Sequence, residues 1–258
     1  FFIANIRRNG WLQKLIARAG LASRRTAELW ILSGRVRVNG RVVTALGTRA
    51  DPAHDRIQVD DSRLRFPRTQ VYLMLHKPRG TMTTAADTQG RRTVYALLPR
   101  LLQRVFSVGR LPYDTEGLLL MTSDGAFANT LLRGGLSQTY WLKVKGPLSA
   151  AEQATLKRAA ERRGEQAFSC RQVTAGANPW YEVVLSAPRQ DWLRDWLFRL
   201  GHPVGKLRRI ALGPLALGDL PVGACRSLTE AERQRLVEEA RQPRFHNRHR
   251  AAAMRRTR

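Results

Sequence analysis

The chain has 258 residues, 43% of them hydrophobic, with 45 Lys and Arg against 20 Asp and Glu, a formal net charge of +25. That length suits one large domain, or a medium domain with a small module, and supplies enough apolar residues for a core. The charge points to a polyanionic partner. Nucleic acid is favoured over an anionic membrane surface, because no basic amphipathic helix or lipidation signal stands out and no run approaches the ~18 apolar residues of a membrane span.

The opening FFIANIRRNGW has no long apolar core followed by a small-residue cleavage site, so it does not read as a secretory signal. Cys170 and Cys225 lie far apart and match no metal-ligand spacing. They read as reduced thiols in a cytoplasmic protein.

After an extension over residues 1–11, LQKLIARAGLA carries apolar residues at helical spacing (Leu12, Leu15, Ile16, then Leu21), with Gly20 as a helix stop. Ser23 is placed to cap a second helix, TAELWILSG, ending at Gly34. RVRVNGRVV alternates apolar residues around the turn pair Asn39-Gly40, and DRIQVD is a further short strand. This unit, residues 12–60, has two short helices and a small hairpin sheet, too little for a rich core. It presents basic residues: Arg24 and Arg25 at a helix start, and Arg35, Arg37 and Arg41 around the strands. Positive charge at a helix N-terminus opposes the helix dipole, so the arginines there are not explained by helix stability. A bound phosphate would explain them; the alternative is a solvated basic face.

Residues 61–70, DSRLRFPRTQ, read as a polar linker with Pro67. From 71 to about 240 strand-like runs (VYLMLHKP, GLLLMT, TYWLKVKG, WYEVVLSA, GKLRRIALG) interleave with helical ones (GAFANTLL, QDWLRDWLFRLG) without regular βαβ spacing. The expected fold class is α+β on a mixed, mostly antiparallel sheet. The tail, residues 241–258, is arginine-rich and poor in apolar residues, either an RNA-binding arm or a solubilising segment.

Within the larger unit, VGRLPYDTEGLLLMTSDG is a Gly-led polar loop anchored by a buried strand, a common setting for chemistry. Asp114 and Glu116 are either a carboxylate pair or turn residues.

Two resemblances follow. GLASRRTAELWILSGRVRVNGRVV resembles the αL RNA-binding module of a ribosomal small-subunit protein and several RNA-modifying enzymes, which implies RNA contacts by Ser23, Arg24, Arg25, Arg35, Arg37, Asn39 and Arg41. The run from Val108 to Gly125, the LHKPRG segment with Lys77, Pro78 and Gly80, Tyr140 in SQTYWLKV, and GHPVGKLRRIALGPLALGDLPVGACRSLT together resemble the rRNA pseudouridine synthases carrying that module. The resemblance covers Leu12 to about Leu236. It implies cofactor-free isomerisation of a uridine that has left its stack, in ribosomal RNA or a ribosomal particle, with the large subunit expected, by a monomer. It also adds Lys77, Arg110, Lys206 and Arg209 to the residues facing RNA.

Implied at the site are an aspartate that acts on the sugar, a tyrosine that packs on the base, and an arginine that pairs with the aspartate. Tyr140 and Arg194 fall on the last two. The family's pattern G-R-L-D runs here as Gly109, Arg110, Leu111, Pro112, with Thr115 and Gly117 still in register, so a proline stands at the aspartate position. Asp114 lies two residues on, and its carboxylate would start about 6 to 7 Å away, so substitution by it requires a rearranged loop. Asp191 and Asp195 flank Arg194 and offer it alternative partners. Two functions are therefore carried forward: a pseudouridine synthase with an altered site, and a non-catalytic rRNA-binding or assembly factor on the same scaffold.

Overall fold

A computed structural model describes residues 10–67, 69–99, 104–165, 168–186 and 191–242. The chain divides into two compact units: one through Val71 that also takes in 104–106 and Thr122–Gly125, and one formed by the rest.

The first unit contains β1 (Gly10–Trp11), α1 (Leu12–Arg18), α2 (Arg24–Leu32), β2 (Val36–Val38), β3 (Arg41–Val42), β4 (Arg49–Ala50), β5 (Ile57–Val59) and β6 (Ser62–Arg63). Its four-stranded sheet runs β3-β2-β5-β6, all antiparallel. The β2–β3 hairpin turns on Asn39 and Gly40, both at positive φ (52° and 82°), as a two-residue mirror-image turn requires. Ser23 caps α2 as expected, its hydroxyl accepting from the Thr26 amide at 3.0 Å. Leu12, Leu15, Ile16, Ala27, Ile31, Val36, Ile57 and Val59 form the core.

Three expectations are corrected in this unit. Leu21 is exposed, because Gly20 turns the chain at φ 82° and puts Ala22 into the core instead. The extension does not stop short of the fold, since Gly10–Trp11 pairs with Arg49–Ala50. The linker does not begin at 61, since Ser62 pairs with Val59 and Leu64 is buried in the core.

The second unit follows with β7 (Tyr72–Lys77), β8 (Phe106–Val108), β9 (Glu116–Thr122), α3 (Gly125–Gly134), β10 (Gln138–Val144), α4 (Ala150–Arg162), β11 (Ser169–Gln172), β12 (Trp180–Leu185), α5 (Asp191–Arg199), β13 (Val204–Leu212), β14 (Leu215–Ala216), β15 (Cys225–Ser227) and α6 (Glu230–Arg241). The main sheet has the order β11-β12-β10-β13-β9-β7-β15. β11 with β12, β12 with β10, β10 with β13 and β7 with β15 pair antiparallel, and β9 with β13 parallel, so the α+β expectation holds.

Burial explains the strand sequences. β7 is buried at every position and β9 at every position but its first, as strands covered on both faces are. β10 and β12 alternate buried with half-exposed residues, leaving one face open. Where β9 meets β13, Gly117 adopts φ +121°, and a Cβ there would lie 2.2 Å from the Arg209 carbonyl oxygen. Only glycine lets the two backbones approach so closely.

The sequence reading did not single out α4 and α6. Each opens with a capping box, Ser149 with Glu152 and Thr229 with Glu232. The S-x-x-E and T-x-x-E spacing is the signal that marks them. Residues of the expected basic tail from 243 onward lie outside the described residues.

Candidate active site

The loop between β8 and β9 carries the candidate site. It is held by its backbone. The Thr115 amide donates to the Pro112 carbonyl at 3.1 Å, closing a four-residue turn over Pro112–Thr115, and the Gly80 amide donates to the Tyr113 carbonyl at 2.8 Å. Thr83 donates its hydroxyl to the Leu111 carbonyl at 2.7 Å.

Lys77 is expected to face RNA but is fully buried. Its ammonium donates to the carbonyls of Thr115 (2.8 Å), Pro112 (3.0 Å) and Pro78 (3.0 Å). It is a brace for the loop, not a phosphate contact. Burial lowers its pKa to about 8, against the opposing pull of the Asp114 and Glu116 carboxylates.

Beside the loop lies a cavity of about 450 Å³. Gly109, Arg110, Leu111, Pro112, Tyr113, Gln138 and Arg209 are among its walls, with apolar residues such as Leu131 and Leu132. No aspartate or glutamate lines it among the described residues.

Asp114 points elsewhere. Its Oδ2 lies 3.0 Å from Arg194 Nη2, and its side chain is 47% exposed. The contact is one of charge rather than an aligned hydrogen bond. Arg194 therefore meets Asp114, two residues beyond the position the resemblance assigned to its partner. Asp195, an alternative partner by helical spacing, is exposed. Residues 187–190 lie outside the described residues.

Tyr140 is buried, and its hydroxyl donates to Gln138 Oε1 at 2.7 Å. The same oxygen accepts from Arg209 Nη1 at 2.8 Å, and Arg209 Nε donates to the Leu118 carbonyl at 2.9 Å. Arg209, also expected to face RNA, is thus a buried guanidinium at the cavity wall. Arg110 and Lys206 are exposed. Gln138 was not anticipated; its place two residues before Tyr140, on the same strand face, is the sequence signal for it.

In the first unit Arg24, Arg25 and Arg41 are exposed. Arg35 instead pairs with Asp60 (2.8 Å from Nε) and lies over the Trp30 ring. Arg37 pairs with Asp61 at 3.2 Å. Asn39 is exposed, and its side chain donates to Asp55 and accepts from the Arg56 amide, both at 2.8 Å. These bonds hold the turn.

Residues 10–63 match the S4 domain and residues 71–197 the RNA pseudouridylate synthase model. An uncharacterized RNA pseudouridine synthase of Aquifex aeolicus is 38% identical over 238 residues, covering 88% of this chain and 93% of the relative. The chain belongs to the RNA pseudouridylate synthase family. A further relative from Bacillus subtilis, named ribosomal large subunit pseudouridine synthase B, is 38% identical over 233 residues, 87% of this chain and 94% of that one. The crystal structure of a pseudouridylate synthase superposes with a TM-score of 0.58 at 25% identity, covering 88% of this chain and 99% of that chain. The first unit of this synthase-family chain is accordingly an S4 domain, and the second is the pseudouridine synthase domain. No described helix is long and apolar enough to cross a membrane.

Proposed function

We propose that this chain binds structured ribosomal RNA of the large subunit as a cytoplasmic monomer, admits a nucleotide at the cavity beside Pro112, and does not isomerise it efficiently. The subunit assignment rests on the Bacillus subtilis relative named ribosomal large subunit pseudouridine synthase B, which is covered over 94% of its length. The S4 domain, with Arg24 and Arg25 exposed at the capped start of α2, supplies a grip on phosphate.

One observation carries the impaired chemistry: Pro112 is part of the cavity wall, and no described carboxylate shares that wall. Isomerisation breaks the glycosidic bond and forms a carbon–carbon bond to the sugar. The family's route needs a carboxylate at the sugar, aligned and kept ionised by a cation. Proline offers neither a nucleophile nor a base. Losing such a group costs many powers of ten in rate while leaving phosphate-based affinity in place.

The deciding experiment assays the parent and Pro112→Asp on large-subunit rRNA and on protein-free transcripts, with pseudouridine mapped by site-specific chemistry. Expected are no turnover by the parent and new turnover by the variant at one uridine. Turnover by the parent overturns the reading.

One geometric fact favours a second reading, the 3.0 Å contact of Asp114 with Arg194. It resembles the acid–arginine pair the chemistry requires, displaced by two residues. On that reading Asp114 serves as the acid after the loop shifts on RNA binding, and parent turnover is abolished by Asp114→Asn.

A further inference from the structure

We propose that the open face of the sheet end β11-β12-β10-β13 is a stacking platform for a single-stranded stretch of RNA, separate from the cavity. The proposal rests on the RNA-binding reading above and adds to it a second contact surface and the form of RNA that fits it.

Register puts the residues together. Across five neighbouring strands Arg171 pairs with Glu182, Glu182 with Trp141, Trp141 with Arg208, and Arg208 with Glu116. The adjacent row runs Trp180, Lys143, Lys206. In an antiparallel pair, directly opposed residues point to the same face. Their alternating neighbours Tyr140, Leu142, Tyr181, Val183 and Leu207 are buried on the other face, where the Tyr181 hydroxyl accepts from the Leu148 amide at the approach to α4. The residues of the two rows keep solvent access, with Lys206 and Arg171 exposed and Trp141, Trp180 and Lys143 partly buried.

The face has the two properties that unpaired RNA selects for. It has aromatic surface: the Trp141 and Trp180 rings stand 6.4 Å apart between centroids, tilted at 55°. Trp141 is held in place, since its indole N–H donates to Glu182 Oε2 at 3.1 Å while Arg171 donates to Glu182 Oε1 at 3.0 Å. An indole fixed by its edge is preorganised to receive a base on its ring face.

The face also has positive charge. Both carboxylates on it are already engaged, Glu182 by Arg171 and Trp141, and Glu116 by Arg208 (2.6 Å) and His76 (3.1 Å). Lys143 and Lys206 stand opposite one another with no ion pair among the described residues. A merely solvated sheet face is served by Thr, Lys and Glu and does not call for two neighbouring indoles. Duplex RNA buries its base faces and uses only the charge, so the unpaired form is the better fit.

The test uses the full chain and a hairpin from large-subunit rRNA, with and without an unpaired overhang of about ten nucleotides. The parent should bind the overhang form about tenfold more tightly, with a larger drop in tryptophan fluorescence. The Trp141→Thr, Trp180→Thr double variant should bind both forms equally and keep the parent's affinity for the blunt hairpin. Lys143→Gln with Lys206→Gln retains both indoles and should lower the salt slope for the overhang form by about 1.4.

A parent that binds the blunt hairpin without preferring the overhang overturns the platform. So does persistence of the preference in a folded tryptophan variant. If that variant melts early, the lysine pair decides, and an unchanged slope overturns the platform. A parent that binds neither RNA sinks the RNA-binding reading itself. Preference for an acidic peptide over the overhang RNA assigns the face to protein and also overturns the proposal.

Discussion

Asp114 and Arg194 stand 3.0 Å apart, one on the turn that follows Pro112 and the other on α5. The pair ties the loop to the helix at a half-exposed site. Because the carboxylate is solvated and the contact poorly aligned, its net worth is small, about 0 to 1 kcal/mol. We expect Asp114→Asn to change stability by less than about 1 kcal/mol in chemical denaturation. Without a catalytic task for Asp114, the same substitution leaves the activity gained by Pro112→Asp within a few-fold. Loss of that gained activity in the Pro112→Asp, Asp114→Asn double variant would show that Asp114 takes part in the chemistry.

Lys77 braces the same loop from below. Replacing it with Met leaves the Pro78 and Thr115 carbonyls without this donor, while the Pro112 carbonyl keeps the Thr115 amide, and each orphaned acceptor costs on the order of 1 kcal/mol. The variant should be about 2 kcal/mol less stable near neutral pH. The pH dependence has a definite sign. The folded pKa is about 8 against an ordinary 10.5, so between those values the unfolded chain holds a proton that the folded chain has released. Stability contributed by this group therefore rises with pH across that window. Urea denaturation at several pH values between about 7.5 and 10 should show the rise in the parent and not in Lys77→Met.

His202 gives the opposite slope. Burial pulls its pKa down, but the Lys145 carbonyl (2.8 Å) and the Glu152 carboxylate (3.2 Å) outweigh burial and leave it above 6.5. A raised folded pKa gives stability that is fully present below 6.5 and lost as pH rises through the folded value. The parent should melt at a higher temperature near about pH 5.5 than near about pH 8.5 by an increment that His202→Gln removes. An equal difference in both proteins rules out this histidine as its source.

The S4 arginines differ in what they have free. Arg35 and Arg37 are engaged by Asp60 and Asp61, whereas Arg24 and Arg25 are exposed at the start of α2. Arg24→Ala with Arg25→Ala should weaken binding to structured rRNA and lower the magnitude of the salt slope by about 2. Arg35→Ala should instead act first on stability, since it also uncovers Trp30 and leaves Asp60 without its partner. Filter binding across a salt series beside thermal melting separates the two effects. An unchanged slope in the Arg24, Arg25 variant removes that helix start from the interface.

Sequence by itself determined the elements with a period or a cap. The Asn39-Gly40 turn, the Ser23 cap, the alternation of β10 and the continuous apolar run of β9 are local features, set by backbone geometry and nearest neighbours. The family was legible for the same reason, as ordered motifs along one chain. What a charged side chain does was not legible. Lys77, Arg209 and Asn39 look like RNA contacts by type, yet tertiary packing buries the first two among carbonyl oxygens and ties the third to Asp55 and Arg56.

Only the folded structure decided that Arg194 meets Asp114, that Pro112 walls a cavity with no described carboxylate, and that Trp141 and Trp180 share an open face. Each depends on residues far apart in the chain, brought together by sheet register and by the close crossing at Gly117. Burial and long-range pairing set the energy of a charge, and neither is written in the residue's own neighbourhood.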